Sequence, residues 1–242
     1  MKEASLKVSI LAYTPEPENV VALSARLCYS PVGIEELKEK LSDKDKENLI
    51  NLLIESGHLS PFEHASFTFA VEGISRACSH QLVRHRIASY SQQSQRYVSE
   101  VEGFDFIIPK TIKENEEIKS LFIEAMKNVH EYYCKILNAL EKKGLKGELA
   151  KQDARFVLPN AAETKIVVTM NARELLHFFK LRCCNRAQWE IRELATEMLR
   201  LVKKIAPRLF KNAGPACITG KCPEGKFSCG EIDKVREKFK NL

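Results

Sequence analysis

The segment Arg84–Tyr97, with the sequence RHRIASYSQQSQRY, concentrates guanidinium, imidazole, hydroxyl and amide groups in fourteen residues. Arginine binds phosphate oxygens through two parallel hydrogen bonds, and a loop with free backbone N–H groups can form an anion-binding concavity. Arg84 and His85 lie three and four residues after Gln81, so all three share one face of the helix predicted before the segment. The segment therefore predicts a site for a phosphate-bearing ligand, with a solvated basic turn as the alternative.

Other candidate donors lie in three further segments. Arg173 and His177 are four residues apart on one face of a predicted helix. Arg182 is nine residues after Arg173, so it either serves a different subpocket or follows the end of that helix. Arg155 falls in the last turn of another predicted helix, where a cation also complements the helix dipole. The third segment is a loop that holds His58, Ser60 and Glu63. A lone histidine in such a loop is more often structural.

The sequence lacks the motifs of enzymes whose own side chains or bound metal ions carry out the reaction. No serine or cysteine adjoins a histidine in a nucleophile elbow, and no HExxH, GxGxxG or Walker pattern occurs. His80 and His85 are five residues apart, which is the wrong spacing for two metal ligands on one helical face. We therefore predict no metal site, and we expect the reactive chemistry to come from something that the bound ligands carry.

Hydrophobic periodicity predicts the elements that position these residues. Ser75 and Asn171 are expected to cap helices, the latter with Glu174 in a capping-box-like start. The predicted helices cover residues 17–30, 43–56, 76–85, 114–143, 147–158, 172–182 and 189–210. The predicted strands cover residues 5–13, 65–73, 104–109 and 164–170. Because helices and strands interleave irregularly, a single α+β domain is expected rather than a doubly wound sheet.

Composition and charge limit the classes of protein to which the chain can belong. With 242 residues, 44% of them hydrophobic and 29% charged, the chain has the composition of an ordinary globular protein. No apolar run approaches the roughly 20 residues that cross a bilayer, and the short apolar patch at the N-terminus ends at Thr14-Pro15 without a cleavage-like site. We expect a cytoplasmic protein without a membrane partner. The net charge of +6 indicates an anionic partner without specifying it.

Eight cysteines are many for a cytoplasmic protein. Five of them lie in periodic segments and are predicted to be small buried hydrophobes: Cys28, Cys78, Cys134, Cys183 and Cys184. The other three fall in a Gly-rich tail, predicted as residues 213–242 after a main domain of residues 1–212: Cys217, Cys222 and Cys229. An ordered cap with free thiols is the expected state of the tail. The alternatives are a metal site that recruits Cys183 or Cys184, and a disulfide, which is disfavoured in this compartment.

Five segments together carry a family resemblance. RHRIASYSQQS fits an Arg-His-Arg, seven residues, Ser motif, and four further blocks agree in order and spacing: GHLSPFEHASFTF, HQLV, ARFVLPNAAETKIVVTMNAR and LLHFFKLRCCNRAQWEI. Over residues 5–210 the chain resembles the flavin-dependent thymidylate synthases. The resemblance implies a central twisted, largely antiparallel sheet flanked by helices, in a homotetramer with active sites between subunits.

The resemblance also implies a reaction and its ligands. A methylene group passes from 5,10-methylenetetrahydrofolate to C5 of dUMP, and FAD reduced by NADPH supplies the hydride, which yields dTMP and tetrahydrofolate. This chemistry agrees with the missing catalytic motifs, because the cofactor carries the difficult step and the protein supplies orientation and charge.

Site residues follow from the resemblance position by position. Arg182 is expected at the pyrimidine, where it favours ionisation at N3, and His58 near the flavin and folate. Ser94 is assigned to binding rather than nucleophilic attack, because no base adjoins it. Gln92 stands where many members carry Glu. Because Gln can still donate and accept hydrogen bonds, binding of both the flavin and dUMP is expected, and any acid–base role is open. The remaining flavin contacts are Ser60, Arg84, His85, Arg86, Asn171, Arg173 and His177. The remaining dUMP contacts are Gln81, Arg84, Gln95, Arg96 and Arg155.

Two other functions compete with this interpretation. A nucleic-acid-binding protein would use the Arg-His-Arg helix, the basic charge and the cysteine tail, but acidic and basic residues mix along every helix instead of forming a basic stripe with interleaved aromatics. A metallohydrolase of phosphorylated metabolites would lose activity on treatment with chelators.

Overall fold

The computed structural model describes all 242 residues and has an α+β fold. The strands are β1 (Lys7–Tyr13), β2 (Ser66–Ser75), β3 (Ala88–Gln92) and β4 (Glu163–Asn171). The α-helices are α1 (Pro17–Leu27), α2 (Ile34–Lys40), α3 (Asp43–Ser56), α4 (Arg76–Leu82), α5 (Lys110–Lys113), α6 (Glu116–Lys142), α7 (Glu148–Ala154), α8 (Ala172–Arg182), α9 (Trp189–Ile205) and α10 (Ile232–Lys240). Short 3₁₀ helices cover Ser60–His64, Arg155–Val157 and Gly225–Phe227.

The four strands form one antiparallel sheet in the order β1-β2-β4-β3. Side chains alternate between the core and the opposite face, as the period of two requires: Phe67 and Phe69 of β2 are fully buried, and so is Val168 of β4. The α+β class and the antiparallel sheet predicted above are confirmed. None of the helices is long and apolar enough to span a membrane.

The chain divides into two compact units. The first unit comprises residues 1–7, 71–84 and 91–167, and the second comprises residues 8–70, 85–90 and 168–242. In the first unit α6 begins at its cap Asn115, whose side chain accepts a hydrogen bond from the N–H of Ile118. One face of α6 is buried, with Met126 in a cluster around Phe104 and Phe106, and Tyr133 in a cluster with the alanines of α7.

The core of the second unit is built largely by α8 and α9. Ile191, Leu194 and Met198 of α9 are fully buried at helical spacing, and α9 packs against α8. The Phe179 ring of α8 meets the Phe210 ring at 6.0 Å between centroids. This packing fixes α8 as a rigid element, which matters because α8 carries several candidate site residues.

Several predicted boundaries differ from the structure for identifiable reasons. The strand predicted over 104–109 is wrong: this apolar run makes only isolated bridges, at Phe106, and is apolar because it is buried. The helix predicted over 189–210 ends at Ile205, since Pro207 disfavours helical backbone at Ala206. Strand β3 was not predicted, because it is a polar edge strand that pairs only with β4. Helices α2 and α10 were also missed, and the loop at 60–64 is a 3₁₀ helix.

The cysteine tail is folded as part of the second unit. Val235 and Phe239 of α10 are buried, and the Arg236 guanidinium donates to the carbonyls of Cys217 and Gly220 at 3.0 and 2.8 Å. All eight cysteines are free thiols. The prediction of buried thiols holds for Cys78 and Cys183 but is wrong for Cys28, which is exposed at the end of α1.

Candidate active site

The start of α8 is built by Asn171. Its side-chain oxygen accepts a hydrogen bond from the N–H of Glu174 at 2.9 Å, which confirms the predicted cap. The expected reciprocal bond of a capping box is not formed, because the Glu174 carboxyl bonds to His85 instead. The cap thus leaves the Glu174 side chain available for a second task.

Glu174, His85 and Arg182 form a hydrogen-bonded chain in the second unit. The Glu174 Oε1 lies 3.2 Å from the His85 Nδ1, and the Arg182 Nε donates to the His85 Nε2 at 3.0 Å. Arginine cannot accept a hydrogen bond, so the His85 Nε2 must present its lone pair and the ring proton must sit on Nδ1. The His85 and Phe178 rings meet edge to face, with 4.9 Å between ring centroids.

The imidazole of His85 is neutral. Burial lowers the pKa of His85 to about 4, with the nearby charges of Arg182 and His177 acting in the same direction. Burial raises the pKa of Glu174, and the nearby His177 partly opposes that rise. A neutral ring therefore connects a buried carboxyl to a guanidinium of intermediate exposure.

The depressed pKa of His85 makes the free energy of unfolding depend on pH. Unfolded His85 takes a proton near pH 6.5 and folded His85 only near pH 4, so in this window the unfolded chain holds more protons and falling pH favours unfolding. We expect a loss on the order of 2 kcal/mol between these limits after allowance for solvent screening. Urea unfolding of the wild type and His85→Asn from pH 7 to pH 4 measures it. Parallel pH profiles for the two proteins would contradict the assignment.

The face predicted to be shared by Gln81, Arg84 and His85 is not formed. Helix α4 ends at Leu82, so Arg84, in the turn that follows, and His85 lie beyond it, while Gln81 remains on the helix. His85 is buried, whereas Arg84 and Arg86 on either side of it are exposed and pair with no carboxylate. The arginines therefore stay available to a ligand, while the two ring nitrogens of His85 are bonded to Glu174 and Arg182.

The remaining candidates in the second unit lie on α8 and on the 3₁₀ helix Ser60–His64. Arg182 is the last residue of α8, so the alternative that the helix ends before it is wrong. Arg173 in the first turn forms an ion pair with Glu63. The His177 ring lies 6.0 Å from that of His85. His58 and Ser60 are exposed.

In the first unit, Arg76 organises the segment that follows β3. Its guanidinium donates to the Gln95 Oε1 at 3.0 Å, to the Thr164 hydroxyl at 3.3 Å and to the Gln93 carbonyl at 3.4 Å. Sequence reasoning missed Arg76. A usable signal existed, because a cation in the first turn of a helix opposes the helix dipole and needs another reason to be there.

Gln92 and Ser94 are oriented by similar local bonds. The Gln92 amide nitrogen donates to the hydroxyls of Ser79 and Thr164 at 3.0 and 3.1 Å, which leaves its carbonyl oxygen for a ligand. The Ser94 Oγ accepts from the N–H of Arg96 at 3.1 Å. The turn closes where the Val98 N–H donates to the Ser94 carbonyl at 2.9 Å. The segment is therefore a preformed turn and not an extended basic arm.

Cations accumulate around this turn. Arg155, the first residue of a 3₁₀ helix, lies close enough to Arg76 for its charge, after burial, to lower the Arg76 pKa. Neither guanidinium forms a close ion pair, but the Glu100 carboxyl lies near enough to Arg76 to oppose the effect of Arg155 on its pKa. Arg96 pairs with Glu148 at 3.3 Å and is 44% exposed, so an incoming anion can compete for it. Two neighbouring guanidiniums whose charge Glu100 offsets only in part are an arrangement that a phosphate stabilises.

Two cavities adjoin other parts of the second unit. One of about 270 Å³ is lined by Arg182 and by thiols of the tail, Cys217 and Cys222, together with Cys184. Another, of about 440 Å³, lies among α1, α2 and α3 and contains no predicted site residue. No three His, Cys, Asp or Glu side chains are grouped so that they could hold a metal ion.

Exposed guanidiniums beside a preformed turn, with one further guanidinium fixed by a neutral imidazole, form the kind of site that binds phosphate-bearing ligands. Comparison with known proteins gives the family. The sequence model described as thymidylate synthase complementing protein matches residues 9–208. The chain is 55% identical over 244 residues to the flavin-dependent thymidylate synthase of Clostridium tetani, covering 98% of both proteins.

Two further relatives with the same name agree. Identity is 56% over 238 residues with the protein of Geobacter sulfurreducens, covering 98% of this chain and 99% of the relative. It is 44% over 247 residues with that of Pyrococcus horikoshii, covering 98% of each. The chain belongs to the flavin-dependent thymidylate synthase family, so the resemblance seen in five sequence blocks is confirmed. The nucleic-acid-binding alternative receives no support from these relatives.

Proposed function

We propose that the protein catalyses reductive methylation of dUMP to dTMP, with 5,10-methylenetetrahydrofolate as the one-carbon donor, NADPH as the reductant and tetrahydrofolate as the second product. The observation that carries the proposal, beyond family membership, is the pair Arg76 and Arg155. These guanidiniums lie close together beside a preformed turn of hydroxyl and amide groups, and the nearby carboxyl of Glu100 offsets the effect of Arg155 on Arg76 only in part. A nucleotide monophosphate supplies the rest of the negative charge. We place this reaction in the cytoplasm.

The residues present fit FAD. A flavin diphosphate requires exposed cationic donors, and Arg84 and Arg86 are exposed guanidiniums without acidic partners. The other proposed flavin contacts are Ser60, His85, Gln92, Asn171, Arg173 and His177. Bound FAD, once reduced by NADPH, supplies the hydride that the side chains of this protein cannot supply.

The proposed nucleotide contacts divide by the part of dUMP that they bind. Ser94, Gln95 and Arg96 belong to the turn and hold the phosphate together with Arg155, while Gln81, Arg84 and Gln92 bind the remainder of the nucleotide. Arg76 holds this turn in shape through Gln95.

Arg182 acts on the pyrimidine. A guanidinium held beside the ring stabilises negative charge that develops when N3 ionises, and this activates C5 toward the one-carbon unit. The site gains from the neutral state of His85, because a protonated imidazole would repel Arg182 and leave its Nε without an acceptor. His58 is proposed to contact the flavin and folate.

The active sites are proposed to lie at the subunit interfaces of a homotetramer. Large apolar side chains that stay exposed beside the phosphate-binding residues support this assembly. Phe156, directly after Arg155, is 83% exposed, and Tyr97, directly after Arg96, is 58% exposed. Exposed apolar side chains grouped beside a polar site are typical of protein–protein contacts.

Arg96→Ala should weaken dUMP binding with little effect on kcat. Removal of one charge-assisted phosphate contact is expected to raise the dUMP dissociation constant about tenfold, while the pyrimidine contact stays intact. Titration of the FAD-loaded protein with dUMP measures it. The matched control is Arg200→Ala, which removes an arginine that pairs with Glu197 on α9. Equal affinities for Arg96→Ala and Arg200→Ala would count against the phosphate-binding turn.

Anaerobic turnover tests the proposed function. Purified protein loaded with FAD is mixed with dUMP, 5,10-methylenetetrahydrofolate and NADPH, and dTMP is measured by chromatography. We expect dTMP and tetrahydrofolate in equal amounts, and none without the folate. A colourless protein that flavin cannot reconstitute, and that binds nucleic acid with strong salt dependence, would overturn the proposal.

A further inference from the structure

We propose that Glu174 is a positioning residue for the proposed reaction: its carboxyl selects the tautomer of His85, and that tautomer orients the guanidinium of Arg182. The inference rests on the proposed function, in which Arg182 acts on the pyrimidine. The family comparison gives Glu174 no role, and the role that the sequence predicts for it, the reciprocal bond of a capping box with Asn171, is not formed.

The placement of Glu174 calls for an explanation. It is 7% exposed on α8, and carboxyl groups are seldom buried without a partner because of the desolvation cost. Capping does not explain it, since Asn171 already accepts the N–H of Glu174. The side chain instead reaches His85, which is 5% exposed and 89 residues away in sequence.

Hydrogen bonding among Glu174, His85 and Arg182 allows only one arrangement of protons. A neutral imidazole has one donor and one acceptor, and which nitrogen carries the proton is set by its partners. A Glu174 oxygen that accepts from Nδ1 leaves the Nε2 lone pair facing the Arg182 Nε–H at 3.0 Å. With the proton on Nε2, the His85 N–H and the Arg182 Nε–H would face each other, and the hydrogen bond between them would be lost.

Other contacts of His85 hold the ring but do not choose its tautomer. The Tyr90 hydroxyl donates to the backbone carbonyl of His85 at 2.8 Å, and Phe178 packs against the ring. The ring nitrogens are bonded to Glu174 and Arg182, which favour the same tautomer. Arg182 is the more exposed of the two and can turn away from the ring, so the buried carboxyl of Glu174 is the group that holds the tautomer.

The consequence for Arg182 is a defined orientation. Its Nε is held by His85, so the two terminal nitrogens remain for the substrate, and the guanidinium plane is fixed before the substrate arrives. Preorganised charge of this kind contributes to catalysis because the site needs no reorganisation as charge develops.

The test is Glu174→Gln in the FAD-loaded protein. A Gln amide can donate to Nδ1, which allows the other tautomer and releases Arg182. We expect kcat for dTMP formation to fall about tenfold or more, as is common for groups that orient catalytic residues, while KM for dUMP changes little. Nitrogen-15 NMR of ring-labelled histidine, assigned with His85→Gln, should show Nδ1 protonated in the wild type and a shift toward Nε2 protonation in the variant.

The control is Glu18→Gln, which removes another largely buried carboxyl bonded to an arginine, Arg208. It should leave both the tautomer and kcat unchanged. Protonation of Nε2 in the wild type, or an unchanged His85 spectrum with unchanged kcat in Glu174→Gln, overturns the inference. If Glu174→Gln does not fold, the spectrum of Arg182→Ala decides, because Nδ1 should stay protonated there if Glu174 holds the tautomer and should lose its proton to Nε2 if Arg182 does. Absence of dTMP formation by the wild type would instead contradict the proposed function, since the tautomer is measured independently of turnover.

Discussion

Arg182→Ala should remove most dTMP formation while FAD remains bound. The proposed role of Arg182 is to stabilise charge on the pyrimidine in the transition state, and loss of one such preorganised donor costs roughly 100- to 1,000-fold in kcat. The flavin contacts are proposed to come from other residues, so the flavin absorption spectrum and stoichiometry should match those of the wild type. Single-turnover dTMP formation at saturating dUMP gives the measurement.

The matched control for this result is Arg186→Ala. Arg186 lines the same cavity as Arg182, but its guanidinium lies 5.9 Å from the Phe227 ring centroid and has no bond to His85. Arg186→Ala should form dTMP at close to the wild-type rate. This result would show that the loss in Arg182→Ala comes from that particular guanidinium and not from a general loss of positive charge. Near-normal turnover by Arg182→Ala would refute the proposed role.

Arg76→Met should produce the second large effect, a loss of dUMP affinity on the order of 30-fold. The variant keeps most of the aliphatic stem but removes three donated hydrogen bonds, so the Gln95 side chain and the Gln93 carbonyl lose their anchor. It also removes one of two neighbouring positive charges. Calorimetric titration with dUMP measures the affinity, and urea unfolding measures the accompanying loss of stability, expected to be about 1–3 kcal/mol.

The control separates stability from binding. Arg236→Met in the tail removes a guanidinium that also holds two backbone carbonyls, those of Cys217 and Gly220. It should lose similar stability but bind dUMP as the wild type does. If both variants lose affinity equally, Arg76 supports only the fold.

The parts of the fold that sequence predicted well are those with strong periodicity or a local signal. Helices α6 and α8 follow from apolar spacing, and the caps Ser75 and Asn171 follow from side chains that bond to backbone three residues ahead. Strand β3 could not be predicted in this way, because an edge strand that pairs on one side carries polar side chains.

In the candidate site, too, some features could be predicted from the sequence and others could not. The residue types of the Arg84–Tyr97 segment sufficed to predict a phosphate-bearing ligand, since guanidinium chemistry is local information. The bond between Glu174 and His85 joins residues far apart in sequence, and no spacing rule reveals such a contact. The shared helical face was predicted wrongly for a related reason: helical spacing does not indicate that α4 ends at Leu82.

A crystal structure of the protein with FAD and dUMP tests the central claim most directly. The account predicts the dUMP phosphate bound by Arg96 and Arg155, and the pyrimidine against the flavin with the terminal nitrogens of Arg182 beside it. Density for dUMP away from all three arginines, with their guanidiniums facing solvent, would contradict it.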